Sequence, residues 1–549
     1  MLTAISFIGF TGLVAFIAWY STRKTDESTA DGFYLGGRSL GAITIAGSLL
    51  LTNLSAEQIV GLNGSAFKEG LMVMAWETLA AIAIIFGALF LLPKYLGSGI
   101  TTIPEFIETR FDKQTKGLLS FLFLVAYAIV LLPTILYSGS LAFSTMFDLP
   151  ETFGMSQSAV IWICVWSIGI IGVIYAIYGG LKAVAVSDLI NAIGLLIGGL
   201  MIPVFALLLV GDGSISDGLT TLFESNPEKF EMQGKVDSSI PFGTLFTGMM
   251  LAQIYYWGTN QSILQRVFAA KSLKEGQRGM LLAAFVKFVI PVVVVLPGIL
   301  AWHVFEGNLE NADQAYPALV KKVLPSAFIG FFAAVLFGAV LSSFNSLLNS
   351  SATLFGFDLY KQYFKKDATE KQTVKAGKQF GLVVAAVSML IAPFIANAPD
   401  GLFSYIQQSL GSLSVPILAV VLVGVYTKKV PALGAKIVLT AGVVLYLISL
   451  IFLEPHFRGA AEAQAIADGI TSASELSIIK AEAYPHYLHV MGILFVFNIL
   501  LMLLLGKLKP KKDEYIPKQT DIIDTKPWKH AITVSIIIAI LVLSTYFIF

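Results

Sequence analysis

The residues in this chain with chemistry to offer lie where a membrane would deny them water. In LLTNLSAEQ, residues 50–58, the side chains of Thr52, Asn53, Ser55, Glu57 and Gln58 interrupt an apolar segment running from about Leu40 to Leu62. Lipid supplies no hydrogen-bond partners, so such a cluster must face protein or a water-filled cavity. It reads as the unwound centre of a broken membrane helix, lining a site for a polar solute and an ion. A polar helix–helix contact is the competing reading, because Asn, Ser and Thr also join helices. Glu77, in MAWETLA, and Lys287, in AAFVKFVIPVVVVLPG, are an acid and a base at similar depth. Each costs at least ~2.5–3.5 kcal/mol at the bilayer centre unless it is paired or wetted. They form either a pocket whose charges bond hydroxyl groups or an ion pair locking two helices. Buried pairs rarely stabilise more than apolar packing does, which favours a functional reason for keeping them.

Three further stretches carry polar groups at depth. Gln253-Ile254-Tyr255-Tyr256-Trp257-Gly258-Thr259-Asn260-Gln261 sets aromatic faces beside amides and a glycine. Apolar C–H faces of a sugar stack on rings while amides bond its hydroxyls, although aromatic clusters also simply pack. FSYIQQSLGSLS places Gln407 and Gln408 near a membrane interior. In FGAVLSSFNSLLNSSATLFGFDLY, Ser342, Ser343, Ser346 and Asn349 recur along one helical side. Hydroxyls and freed carbonyls are hard oxygen ligands suited to Na+; a small-residue stripe equally allows close helix packing. Asp188, in GGLKAVAVSDLIN, is a helix-start acid favoured by the macrodipole or a carboxylate on an ion path.

These residues need membrane helices to hold them. Of 549 residues, 56% are hydrophobic and 13% charged, with mean hydropathy +0.79. Soluble domains carry nearer a quarter charged residues, so the chain is a polytopic membrane protein. A net charge of +1 gives no reason to expect a nucleic-acid partner. Cys164 is the single cysteine, which excludes an intramolecular disulfide and a cysteine-rich metal site. The histidines (His303, His456, His486, His489, His530) fall near helix ends or in loops, and interfacial placement explains them better than metal binding.

Apolar stretches give fourteen spans, centred near residues 12, 51, 82, 130, 166, 197, 252, 290, 342, 385, 412, 442, 496 and 540. With that count, 28 of the 36 Lys and Arg fall on one side and seven on the other, leaving Lys287 in mid-membrane. Basic loops mark the cytoplasm, so both termini are expected outside. The first apolar run, lacking a basic leader and a small-residue cleavage site, is expected to be a retained helix. The outer loop 454–486 is expected to hold a surface helix around Ala460 to Ala483. No GxxxxGK[ST] loop occurs, so a gradient rather than ATP would drive transport.

Seven motifs then point to a family. DGFYLGGRSL, LTNLSAEQ, TTIPEFIETRF, YAIYGGLKAV, IYYWGTNQSILQR, FVKFVIPVVVVLPG and LSSFNSLLNSSATLFGFDLY stand in the order seen in sodium–solute symporters. The chain resembles most the sodium/glucose and sodium/galactose branch, from about residue 31 to 436. The resemblance implies an all-α polytopic fold with a LeuT-like core of two inverted five-helix repeats. These would occupy 39–211 and 241–427, with an extra N-terminal helix and cytoplasmic linker at 1–38. An extracellular loop would fill 212–240, and C-terminal helices 428–549. The first core helix would break near Asn53 and the sixth near Tyr255 to Gly258. Broken helices leave backbone groups free at mid-membrane to hold solute and ion.

Carried over by motif, the sodium site falls on the carbonyls of Leu51, Leu54 and Ala339 and the hydroxyls of Ser342 and Ser343. Sugar contacts fall on Asn53, Gln58, Glu77, Lys287 and Gln407, with Tyr256 as inner gate and Trp257 beside it. Asp188 matches a carboxylate linked to sodium release or a second ion, with Asn345 and Ser346 close by. Three departures stand out. Ala80 replaces a serine, Gln253 replaces a pocket asparagine, and Asn345 stands where members with a second sodium carry Thr or Ser. The implied activity is sodium-coupled import of a hexose-like sugar by alternating access, not enzymatic catalysis. Its partners would be sugar, Na+ and a lipid bilayer, in a plasma membrane such as the bacterial inner membrane. A symporter for another small solute such as myo-inositol, or a solute sensor on the same scaffold, are the alternatives.

Overall fold

The computed structural model describes residues 2–22, 38–178, 181–397, 401–517 and 523–548. Arg23, Lys24, most of DGFYLGGRSL and the Gly179–Gly180 separator lie outside the described residues. The fold is helical throughout. Among the described residues, β pairing is limited to two isolated bridges, Leu40 with Ala270 and Ser272 with Asp524. An apolar solvent requires this, because helices satisfy their backbone groups within one segment. Among the described residues, nine helical runs are long and apolar enough to cross a membrane, and a tenth results if the helices at 273–289 and 291–304 count as one bent span. That bend, 48°, follows from Pro291, which has no amide to offer the carbonyl of Lys287.

Eleven helices position the polar residues: α1 (Leu2–Thr22), α2 (Ala42–Asn53), α3 (Ala56–Glu69), α4 (Ala75–Phe86), α5 (Leu181–Val210), α6 (Gly248–Thr259), α7 (Gln261–Phe268), α8 (Leu273–Val289), α9 (Ser326–Thr353), α10 (Leu402–Tyr426) and α11 (Ala531–Ile548). The α2–α3 break is where the polar stretch put it. Leu54 leaves helical geometry at φ −80, ψ 54, Ser55 is extended, and α3 restarts at Ala56. The second break differs from expectation. Gly258 stays helical, and the chain opens at Asn260, with φ −74 and ψ 123. The asparagine oxygen accepts the Ser262 amide at 3.0 Å, so a cap residue, rather than the glycine, ends one half-helix and starts the next.

The two broken helices meet at their ends. Leu40 donates to the Ala269 carbonyl at 3.0 Å, and Lys271 donates to Leu40 at 3.1 Å. α8 lies against both α2 and α4, while α9 lies against α1, α2 and α5. The α2–α8 approach depends on Gly279, where a Cβ would stand 2.7 Å from Ile45 and 3.0 Å from the Ala42 carbonyl. Outside the bundle, loop 454–486 holds two helices, Glu454–Ala467 and Ala473–Ala483, where one was expected. Gly469, at φ +90, lies between them in a conformation that side chains resist.

One loop carboxyl controls where α10 begins. Asp313 is 5% exposed and accepts the Leu402 amide at 3.1 Å. Burial pushes its pKa up to about 6, against the opposing pull of the Leu402 amide and Lys68. The folded state therefore holds this proton to higher pH than the unfolded chain does. The group costs stability as pH rises from about 4 through 6, and the whole cost is present above that window. Asp313→Asn keeps an acceptor for Leu402 without the charge. It should raise the thermal midpoint at pH 7.5 and leave it unchanged at pH 4, as read by unfolding in detergent at both pH values.

Candidate functional site

The break in α2–α3 opens onto a cavity walled by both polar and aromatic side chains, the mixture that small-molecule sites use. Asn53, Gln58, Glu77, Gln253, Tyr256, Lys287 and Gln407 all line it, although they come from six helices. Ala80 is also on its wall. Lys287 and Glu77 form an ion pair with side chains 0% and 1% exposed. The ammonium also donates to the Asn53 side-chain oxygen, and the Gln58 amide donates to the other Glu77 oxygen at 2.6 Å. The Trp257 ring completes the surroundings of the ammonium, 5.6 Å away in cation–π range. Each charge is thus matched by hydrogen bonds to polar side chains, which is how a buried pair becomes tolerable. Those bonds are also ones that hydroxyl groups of a solute can replace one for one.

The remaining contacts divide by wall. Gln253 donates to the Trp76 carbonyl at 2.7 Å, so one end of this longer amide ties α6 to the start of α4. Tyr256 and Trp257 meet edge to face at 5.3 Å. Gln407 lines the cavity, whereas Gln408 opens into a separate cavity with Ser65 and Arg458. Glu57, one of the polar cluster at residues 50–58, lines this cavity, and so do Trp76, Phe403 and Met491, which the sequence reading did not assign to the site. Trp76 and Phe403 form an edge-to-face pair at 5.3 Å. Trp76 could have been found from its place beside Glu77. Met491 carried no signal.

The residues expected at sodium lie where α9 crosses the end of α2. Leu51, Leu54, Ala339, Ser342 and Ser343 are all buried. Ser343 Oγ donates to the Thr52 carbonyl at 3.3 Å, which sets the serine pair against the last turn of α2. Helix ends leave carbonyls without intrahelical donors, so this junction gathers neutral oxygens. Ser342 Oγ is buried and faces the Asp188 carboxylate.

Asp188 and Ser346 lie around Arg266, which the span count groups with the basic residues of the cytoplasmic side. Arg266 is fully buried. Its guanidinium approaches Asp188 at 3.8 Å, donates to Ser48 Oγ at 3.0 Å, and bonds Ser346 Oγ. Asp188 accepts from Ser48 Oγ at 2.7 Å, while both Asn345 side-chain atoms have no partner. The arginine was misplaced because it follows the half-helix break, where neighbouring basic residues do belong to a loop.

Comparison with known proteins agrees with this architecture. The family model described as "Sodium:solute symporter family" matches residues 33–442. The chain is 43% identical over 545 residues to the "Uncharacterized symporter YidK" of Escherichia coli (strain K12), covering 99% of this chain and 90% of that protein. It is 36% identical over 452 residues to the "Sodium/glucose cotransporter" of Vibrio parahaemolyticus, covering 77% and 80%. A Na+-coupled sialic acid symporter, solved substrate-bound and outward-open, superposes with TM-score 0.67 over 91% of this chain and 98% of that one. At 19% identity that likeness speaks for the helical fold alone. The chain belongs to the sodium:solute symporter family, a membrane transporter with sodium as coupling ion rather than an enzyme.

Proposed function

We propose that this protein imports a neutral, polyhydroxylated solute of the hexose kind together with Na+, by alternating access. The observation that carries this reading is the convergence of Asn53, Gln58, Glu77, Gln253, Tyr256, Lys287 and Gln407 on one cavity built around a hydrogen-bonded ion pair. Sugar hydroxyls take over bonds now made among Glu77, Lys287, Asn53 and Gln58, and Gln407 supplies a bond from the opposite wall. Ring faces of Tyr256 and Trp76 meet the apolar C–H faces, and Tyr256 gates release inward. The similarity to a protein named as a sodium/glucose cotransporter supports the same solute class. Myo-inositol is the second reading, favoured by Ala80 on the cavity wall and by Gln253, half of whose amide is spent on Trp76.

In this reading Na+ is held by the carbonyls of Leu51, Leu54 and Ala339 and the hydroxyls of Ser342 and Ser343. These come from α2 with its break and from α9, so the ion favours the state in which the two converge, taken here as outward-open. It shifts the equilibrium only by its differential affinity for the two states. Asp188, Asn345 and Ser346 form a second ion site or release path, supported by the buried Asp188 carboxylate and by an Asn345 side-chain oxygen without a partner. Counting α1, the broken α2–α3 and α6–α7 pairs, the run from α4 to Gly97, α11 and the nine remaining longer spans gives fourteen crossings. Repeats at 39–211 and 241–427 then flank loop 212–240. Helix and linker 1–38 precede them and helices 428–549 follow. The basic loops lie in the cytoplasm of a bacterial inner membrane, with both termini outside.

Gln407→Ala tests the pocket. The Michaelis constant for the transported sugar should rise at least about tenfold, the cost of losing a buried hydrogen bond to solute. Its sodium dependence should not change. An unchanged constant for glucose, galactose and myo-inositol alike would remove Gln407 from the site.

A further inference from the structure

The family match ends at residue 442, yet the chain beyond it returns to the two helices that carry the central ion pair. α11 lies along α8, which bears Lys287, and along α4, which bears Glu77. It is fastened at both ends. At the near end, Leu273 donates to the Asp524 carbonyl at 2.8 Å, and the Trp528 amide donates to Gln277 Oε1 at 2.8 Å. The other end of that same amide donates to the Ala88 carbonyl at 3.2 Å, so Gln277 ties the C-terminal segment, α8 and the run beyond α4 into one joint. Arg278 lies over the Trp528 ring at 5.9 Å. Between the ends, Ile538 and Val542 are buried at 1% and 0% exposure.

At the far end, the Tyr546 hydroxyl meets Thr78 Oγ1 at 2.8 Å. The Thr78 hydroxyl also lies 3.1 Å from the Met74 carbonyl, within reach of a hydrogen bond to it. Either hydroxyl can donate, and in both arrangements Thr78 links Tyr546 to the first turn of α4. Thr78 is wholly buried and directly follows Glu77. A shift of this turn moves the glutamate against the lysine.

We infer that α11 is a positioning clamp: through Tyr546 on Thr78 and Trp528 on Gln277, it holds α4 and α8 in the register that presents Glu77 and Lys287 to the solute. Tyr546 is a positioning residue, since it touches neither solute nor ion. A helix outside the family-matched region thereby tunes affinity at the centre. Membrane interhelical hydrogen bonds contribute modestly to stability, so loss of this one hydroxyl should loosen the site without unfolding the bundle.

The inference rests on the solute reading of the cavity, and the test separates the two. Tyr546→Phe removes only the hydroxyl. In proteoliposomes with an inward Na+ gradient, its Michaelis constant for the sugar should rise about fivefold while the maximal rate stays within twofold. In a Thr78→Val background the same substitution should add nothing, because its hydrogen-bond partner is already gone. Hydrogen–deuterium exchange over residues 70–82 should quicken in Tyr546→Phe, a readout that needs no transport. Deletion of 531–549 should enlarge all these effects, and Tyr546→Phe carries the test if that deletion does not fold. A wild-type Michaelis constant and wild-type exchange in Tyr546→Phe would overturn the clamp. Faster exchange in a protein that transports none of the sugars would leave the clamp standing and remove the solute reading.

Discussion

Lys287→Ala is expected to abolish solute uptake and to destabilise the folded protein by about 3–5 kcal/mol. The lysine side chain is wholly buried and the glutamate it pairs with is 1% exposed. Removing the ammonium leaves a carboxylate at mid-membrane with only the Gln58 amide to compensate it. Stability alone does not separate a solute site from a lock between α4 and α8, because either role suffers. The double replacement Lys287→Met with Glu77→Gln separates them. It removes both charges at similar volume, a change that is often neutral or stabilising for buried pairs. The thermal midpoint should return to within a few degrees of wild type, while uptake stays below about 1%, as two lost charge-assisted bonds to solute require. Uptake near wild type in the double variant would show a structural lock.

Ser342→Ala is expected to weaken sodium binding with little effect on the sodium-free protein. Ser342 Oγ is buried facing the Asp188 carboxylate, which keeps Ser48 and Arg266 as partners when the hydroxyl is removed, so the change costs the sodium-free protein little. A ligand present at a hundred times its dissociation constant stabilises the state it binds by about 2.7 kcal/mol. Wild-type protein should therefore melt higher in Na+ than in choline. Ser342→Ala should lose most of that difference while melting in choline near the wild-type midpoint. Ser343→Ala also loses the 3.3 Å bond to the Thr52 carbonyl, so it should melt slightly lower in both salts. Half-saturating sodium for uptake should rise at least about tenfold in either variant. Equal sodium responses in wild type and both variants would move the ion elsewhere.

What the sequence made legible was whatever carried a penalty. Asn53, Glu77 and Lys287 stand out because polar groups in an apolar run are costly, and the structure gathers them into one hydrogen-bonded set. The first helix break was readable for the same reason. The second was expected near Tyr255 to Gly258 on the family resemblance, but that stretch stays helical in the packed bundle, and the local capping bond of Asn260 decides the break. Arg266 hid behind its neighbours, since its burial depends on Asp188 and Ser346, which lie 78 and 80 residues away in sequence. The clamp left no trace either. Tyr546 and Thr78 are unremarkable residues in apolar helices, and their meeting across |i−j| of 468 is a product of packing alone. The span count fell between these cases. α2, α6 and α7 are half-helices, each too short to cross by itself, and a window of hydropathy cannot tell a broken span from a short one.

The most direct test of the account is uptake of radiolabelled glucose, galactose and myo-inositol into proteoliposomes, with and without an inward Na+ gradient. The expected result is accumulation of one of the three only when the gradient is present, abolished by Lys287→Ala. Sodium-dependent stabilisation of the protein with no gradient-driven accumulation of any of them would contradict the sugar assignment, and would turn attention to Ala80 and Gln253 on the cavity wall.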